Sequence, residues 1–119
     1  MTNETNTALT YQTKLKGFCK GLVEVRKVYS DMTTLQLTVL LEIAGKGDMS
    51  GTEIANTLGI HKAVVSRIVG VLSDVRVSGR QSEGLGLVSI NEDPLNRRVR
   101  RIKLTAKGHE FMSILIDTI

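Results

Sequence analysis

The side chains able to do chemistry in this chain are few, and their densest grouping is cationic rather than nucleophilic. Arg97, Arg98, Arg100, Arg101, Lys103 and Lys107 fall between positions 97 and 107 with no acid among them, while acids and bases nearly balance elsewhere under a net charge of +4. A local cationic cluster is the electrostatic footprint of a polyanion binder. Taken alone it describes a solvated face equally well, so its meaning depends on what holds it.

The remaining candidates read as structural. Cys19 is the one cysteine and lies one helical turn from Leu15 and Leu22, where a thiol behaves as an inert small hydrophobe. It has no internal disulfide partner. His61 and His109 lack a Cys or His at metal-ligand spacing. Glu53 follows Ser50 at the spacing of a helix capping box, which explains it better than acid-base work. Ser66 has no base or orienting group in view, and Gly84-x-Gly86 opens no helix that could receive a phosphate. Nothing here makes an enzyme, and no metal or cofactor is implied. Two Tyr, two Phe and no Trp argue against stacking of single-stranded bases.

The elements that must present the basic cluster follow from periodicity. At 119 residues the chain is one domain, with 1–7 a polar, frayed end and 8–119 the folded part. From 8 to 30, Leu15, Phe18, Cys19, Leu22, Val25 and Tyr29 recur at steps of three and four. That makes one stripe of an amphipathic helix, for which a helix from a second subunit is one partner. Thr33 or Thr34 caps a second helix through Leu35, Val39, Leu40 and Ile43, stopped by Gly45 and Gly47. Ser50-x-x-Glu53 opens a short third helix, ended by Gly59 in a left-handed cap. A fourth, about His61 to Ser73, turns Val65, Ile68, Val69 and Leu72 inward and shows His61, Lys62, Ala63, Val64, Ser66, Arg67 and Gly70 outward. Small, polar and cationic residues together suit close approach to a base-pair edge.

Beyond it, 75–85 is glycine- and serine-rich and has no helical period. Leu87–Ile90 reads as a strand, 91–96 with Pro94 as a turn, and Val99–Leu104 as the return strand, Ile102 and Leu104 facing one way and Arg101 and Lys103 the other. Thr105 caps a last helix with Phe111 and Leu115 inward. The fold class is therefore mainly α with a small β-hairpin: a winged helix-turn-helix over 33–74 and 86–104, flanked by terminal helices, with 75–85 inserted between. No uninterrupted apolar stretch is long enough to cross a bilayer, and the N-terminus lacks a secretion signal, so a cytoplasmic, nucleoid-associated location is the expectation.

At this point the residues resemble the MarR (multiple antibiotic resistance) transcriptional regulators. The likeness is carried by Leu35-x-x-x-Val39-Leu40, Glu53-Ile-Ala-x-x-Leu-Gly-Ile60, Val65-Ser-Arg-Ile-Val-x-x-Leu72, and Gly86-Leu-Val with Asp93-Pro-x-Asn-Arg-Arg98 and Leu104-Thr-x-Lys-Gly108. It covers roughly 35–112. The resemblance implies a homodimer on double-stranded DNA, recognition helix in the major groove and wing in the minor groove, acting as a repressor. Carried over position by position, Lys62, Ala63, Val64, Ser66 and Arg67 read bases, and Arg97 and Arg98, with Arg100 beside them, serve the wing. Ser50 and Thr52 at a helix start, and His61, fall to phosphates. Leu15, Phe18, Cys19, Leu22 and Val25, assisted by Phe111 and Leu115, make the dimer interface.

The chain departs from that pattern in several places. Ala63 and Val64 stand where the family usually has Ser or Thr. Asn96 replaces an Asp that would steady the wing. About ten residues are inserted before Gly86-Leu-Val, and the last helix is short. Some family members sense oxidants through a cysteine near the start of the first helix, but the apolar setting of Cys19 disfavours that role. The family often binds aromatic acids, whereas no convergent polar pocket is evident here, so any small-molecule effector is unidentified. The alternative function is a winged-helix interaction module that docks on a polymerase or replication protein and binds DNA weakly.

Overall fold

The computed structural model describes residues 3–73 and 84–119, with side chains from Thr10 onward. Among these residues the chain forms five helices and a three-stranded antiparallel sheet. Helix α1 (Asn3–Val28) starts inside the stretch expected to fray. Helix α2 (Thr34–Lys46) opens with a complete capping box: Thr33 N donates to Gln36 Oε1 at 2.9 Å, and Gln36 N donates to Thr33 Oγ1 at 3.0 Å. Gly45 lies inside this helix, and Gly47, at φ 89°, ends it.

A two-residue strand that the periodicity does not reveal, β1 (Met49–Ser50), precedes α3 (Gly51–Leu58). Gly59 closes α3 at φ 66°, ψ 35°, the left-handed cap expected of it. The fourth helix, α4 (Lys62–Leu72), then follows. The hairpin is longer than the sequence pattern suggests: β2 (Val88–Asp93) and β3 (Asn96–Leu104) leave only Pro94 and Leu95 as the turn. The order is β1-β3-β2, with Met49 opposite Ile102 and Ser50 opposite Arg101. The last helix is α5 (Ala106–Thr118), capped by Thr105 as expected.

One core joins all of these elements. Val39, Leu40, Ile43, Ile54, Leu72, Leu87 and Val88 are fully buried, at roughly 1.5–3 kcal/mol of hydrophobic stabilisation for each large side chain. Ile102 and Leu104 join them from β3, which fixes the register of the wing because a one-residue slip would turn both to solvent. Leu85 N donates to Val71 O at 2.9 Å and Leu87 N to Leu72 O at 2.8 Å, satisfying the last carbonyls of α4. Leu85 packs against the core, so it belongs to the body rather than to the insertion. The rest of 75–85 lies outside the described residues, apart from Gly84.

Helix α5 folds back on α1 of the same chain. A β-carbon at Gly21 would lie 3.0 Å from Leu115 Cδ1, and one at Gly17 would lie 2.6 Å from the Ile119 carbonyl oxygen. The two glycines thus permit a close helix-helix approach that offsets their low helix propensity. This packing corrects part of the expected dimer surface. Val25, Phe111 and Leu115 are 4–5% exposed inside the protomer, where they fill its core and are closed to a partner. Leu15 (57%), Phe18 (55%) and Leu22 (39%) remain open. Cys19 is exposed rather than buried as a small hydrophobe, since no element among the described residues covers the stripe around it.

Two glycine substitutions should move stability in opposite directions. Gly21→Leu forces bulk against Leu115 and is expected to cost about 1–3 kcal/mol. Gly45→Ala meets nothing within 4 Å inside α2 and should add about 0.5–1 kcal/mol. Midpoints of chemical denaturation check both signs.

Candidate nucleic-acid interface

Helix α4 divides as its spacing requires. Val65, Ile68, Val69 and Leu72 are buried, and Lys62, Ala63, Ser66 and Arg67 are exposed. Val64 is half-buried against the core, so less of it is open than its place on the outward face suggests. His61 occupies the N-cap, its Nδ1 accepting a hydrogen bond from Ala63 N at 3.1 Å. That bond leaves Nε2 as the protonated nitrogen of the neutral ring.

Two side chains that act as turn acceptors order the wing tip. Asp93 Oδ1 accepts from Leu95 N at 2.8 Å and Asn96 Oδ1 from Arg98 N at 3.1 Å. The sequence pattern suggests that Asn96 leaves the wing less steady than a carboxylate would. Its amide oxygen nevertheless closes the turn, because the bond needs an acceptor and not a charge. Leu95 is 97% exposed at the apex.

The basic run splits by function once its partners are seen. Arg97, Arg98, Arg100 and Lys103 are exposed, and none of them takes part in an ion pair among the described residues. Lys107 Nζ donates to Leu85 O at 2.9 Å. Arg101 is bound inward: Nε lies 2.9 Å from Asp48 Oδ1, Nη1 lies 2.9 Å from Glu53 Oε1, and Nη2 lies 3.4 Å from Asp48 O. The Glu53 hydrogen bond, then Asp48, raises its pKa above the usual guanidinium value. This pairing also corrects the reading of Glu53. Ser50 Oγ does accept from Glu53 N at 3.1 Å, but Glu53 Oε1 turns to Arg101, so only half of the expected capping box forms.

Helix α4, the start of α3 and the wing meet around one cavity of about 690 Å³. Its lining brings together Ser50, Thr52, Lys62, Ser66, Arg98 and Arg100 from the expected site. His61, Ala63, Arg67 and Arg97 are exposed but lie outside that lining. The floor, Val65, Val69, Ile90, Val99 and Ile102, escapes sequence reading apart from the inward-facing residues of α4 and Ile102. Alternation along β2 and β3 carries the only signal, since a concavity between elements far apart in sequence has no period. The expectation of no convergent polar pocket is thereby corrected. Ser50 is buried and its hydroxyl already serves as the α3 cap, so of the two candidates at this helix start Thr52 is the open one.

Comparison with known proteins agrees with the geometry. A family model, the MarR family, matches residues 30–76. Transcriptional regulator Tm0710 from Thermotoga maritima is similar in structure at TM-score 0.67 and 23% identity, over 98% of this chain and 73% of that one. A MarR-like transcriptional regulator from the same organism, tm0816, aligns at TM-score 0.64 and 24% identity, over 99% of this chain and 75% of that one. A cysteine-to-serine mutant of MarR from E. coli, solved in complex with operator DNA, aligns at TM-score 0.62 and 19% identity, over 94% of this chain and 71% of that one. No curated protein matches the sequence. Residues 30–76, the helix-turn-helix of this chain, are thus similar to the MarR family, and the fold that carries them is a winged helix-turn-helix like that of the MarR-type regulators.

Proposed function

We propose that the chain is a transcriptional regulator that binds double-stranded DNA as a homodimer and represses by occupying its site. The observation that carries this reading is the shared cleft. Lys62 and Ser66 from α4 and Arg98 and Arg100 from the wing line one concavity, and these cations have no ion-pair partners among the described residues. Free guanidinium groups on a hairpin beside an exposed helix face suit a surface that tracks phosphates and a narrow groove. In this reading Arg67, exposed on α4, donates two parallel hydrogen bonds to guanine, and Ala63 meets a thymine methyl. Ser66, Thr52 and the Nε2 of His61 supply hydrogen bonds to phosphate or base edges, and Arg97 adds charge at the wing.

Occupancy of a promoter needs no catalysis, and the MarR family consists of regulators rather than enzymes. No helix among the described residues is long and apolar enough to cross a membrane; the cytoplasmic, nucleoid-associated location belongs to the proposal and follows from DNA binding. The second copy covers the exposed stripe of Tyr11, Leu15, Phe18 and Leu22 on α1. Those residues continue at steps of four and three into Val25 of the protomer core, so one seam passes from core to open surface.

One observation favours the alternative, docking of the wing on a protein, and it is the bare Leu95 at the apex. Salt separates the two readings. For about six to eight phosphate contacts the logarithm of duplex affinity falls against log salt with a slope of about −5 to −7. Arg67→Ala should relax discrimination at one base pair by about 1–3 kcal/mol, and Arg97→Ala with Arg98→Ala should weaken binding across all duplexes. Duplex affinity unchanged in these variants supports docking instead. In light scattering the chain should have twice its own mass, and Phe18→Glu should reduce this to one, since a buried charge at the seam costs several kcal/mol. A single-chain mass for the unaltered protein contradicts the dimer.

A further inference from the structure

Arg101 lies in the densest basic stretch of the chain, yet it is turned away from the cleft and held by two other elements. Its backbone is opposite Ser50 in the β1–β3 pairing. Its guanidinium reaches Asp48, just before β1, and Glu53, in the first turn of α3 just after it. The ion pairs therefore straddle a ladder of only two residue pairs, Met49 with Ile102 and Ser50 with Arg101, which by itself is a weak link between the wing and the helix pair. A planar fork that meets two carboxylates and a carbonyl at once fixes direction as well as distance, which a lysine ammonium cannot do. Glu53 forgoes the second half of its capping box to take part.

We propose that Arg101, with Asp48 and Glu53, is a positioning clamp that sets the wing against the helix-turn-helix for DNA binding, and that Arg101 is not itself a phosphate contact. The proposal rests on the duplex-binding reading for its consequence, though not for its geometry. Isolated ion pairs at partly exposed positions contribute little. Here the loss is felt as a change in the spacing between α4 and β3, and both elements must engage the same duplex.

The sign of one substitution is the discriminating feature. Glu53 is an acid beside the cleft residues Gly51 and Thr52, so removing its charge should strengthen binding if it only repels DNA. As part of the clamp, its removal should weaken binding.

The experiment measures duplex affinity over a salt series, using a duplex selected by the unaltered protein, for Arg101→Ala, Arg101→Lys, Glu53→Gln and the reference variant Arg98→Ala. Arg101→Ala is expected to lose about three- to tenfold with an unchanged salt slope. Arg98→Ala should reduce the slope by about 1. Arg101→Lys should recover less than half of the loss, and Glu53→Gln, which is isosteric, should also weaken binding. A slope reduced by about 1 in Arg101→Ala, full rescue by lysine, tighter binding by Glu53→Gln, or no change in either alanine or glutamine variant each overturns the clamp. Amide exchange gives a reading without DNA: the β1–β3 amides should exchange faster in Glu53→Gln, and equal rates contradict the proposal. Failure of the unaltered protein to bind any duplex would count against the regulator and leave the exchange result to judge the clamp.

Discussion

Met49 and Ser50 pair with Ile102 and Arg101, and this short ladder joins the two halves of the proposed DNA surface. On one side of it lies the helix pair α3–α4, on the other the hairpin whose tip carries Arg97 and Arg98. Burial of Met49 and Ile102 locks the ladder from the inside, and Arg101 closes it from the outside. This junction helps to hold β3 beside the helix pair, and the cleft lies between α4 and the wing. Together with the buried Leu87, Val88, Ile102 and Leu104, the junction sets the hairpin cations relative to Lys62 and Ser66.

The second organising feature is the division of α1 between two partners. Its Gly17 and Gly21 face receives α5 of the same chain, and the face bearing Leu15, Phe18 and Leu22 is left exposed among the described residues. A helix of 26 residues spans about 39 Å, and from Thr10 to Lys20 its residues are exposed apart from Gly17. A contiguous exposed apolar stripe of this kind marks an interaction surface. In the proposed reading, dimerisation and DNA binding fall to opposite kinds of surface, an apolar stripe on α1 and a cationic cleft between α4 and the wing.

Legibility in the sequence follows locality. The buried stripe of α4, the αL cap at Gly59 and the inward turn of Ile102 and Leu104 all depend on neighbours within a few residues, and they are readable as period or as turn chemistry. The pairing of Glu53 with Arg101 is not, because 48 positions separate them and Ser50 offers a local explanation that the fold half overrides. Val25, Phe111 and Leu115 read as partner-facing for the same reason: an apolar stripe shows that something covers it, not whether the cover comes from the same chain. Asn96 misleads because charge looks like the operative property where an acceptor atom suffices. The cleft floor joins α4 to both wing strands, and no window along the chain contains it.

Backbone amide protection on binding a duplex selected from random sequence tests the central claim most directly. If α4 and the wing form one DNA-facing surface, amides of Lys62–Arg67 and of Asn96–Arg100 gain protection together, at the same duplex concentration. Protection confined to one of the two segments, or centred on the Leu15–Leu22 stripe instead, contradicts the account.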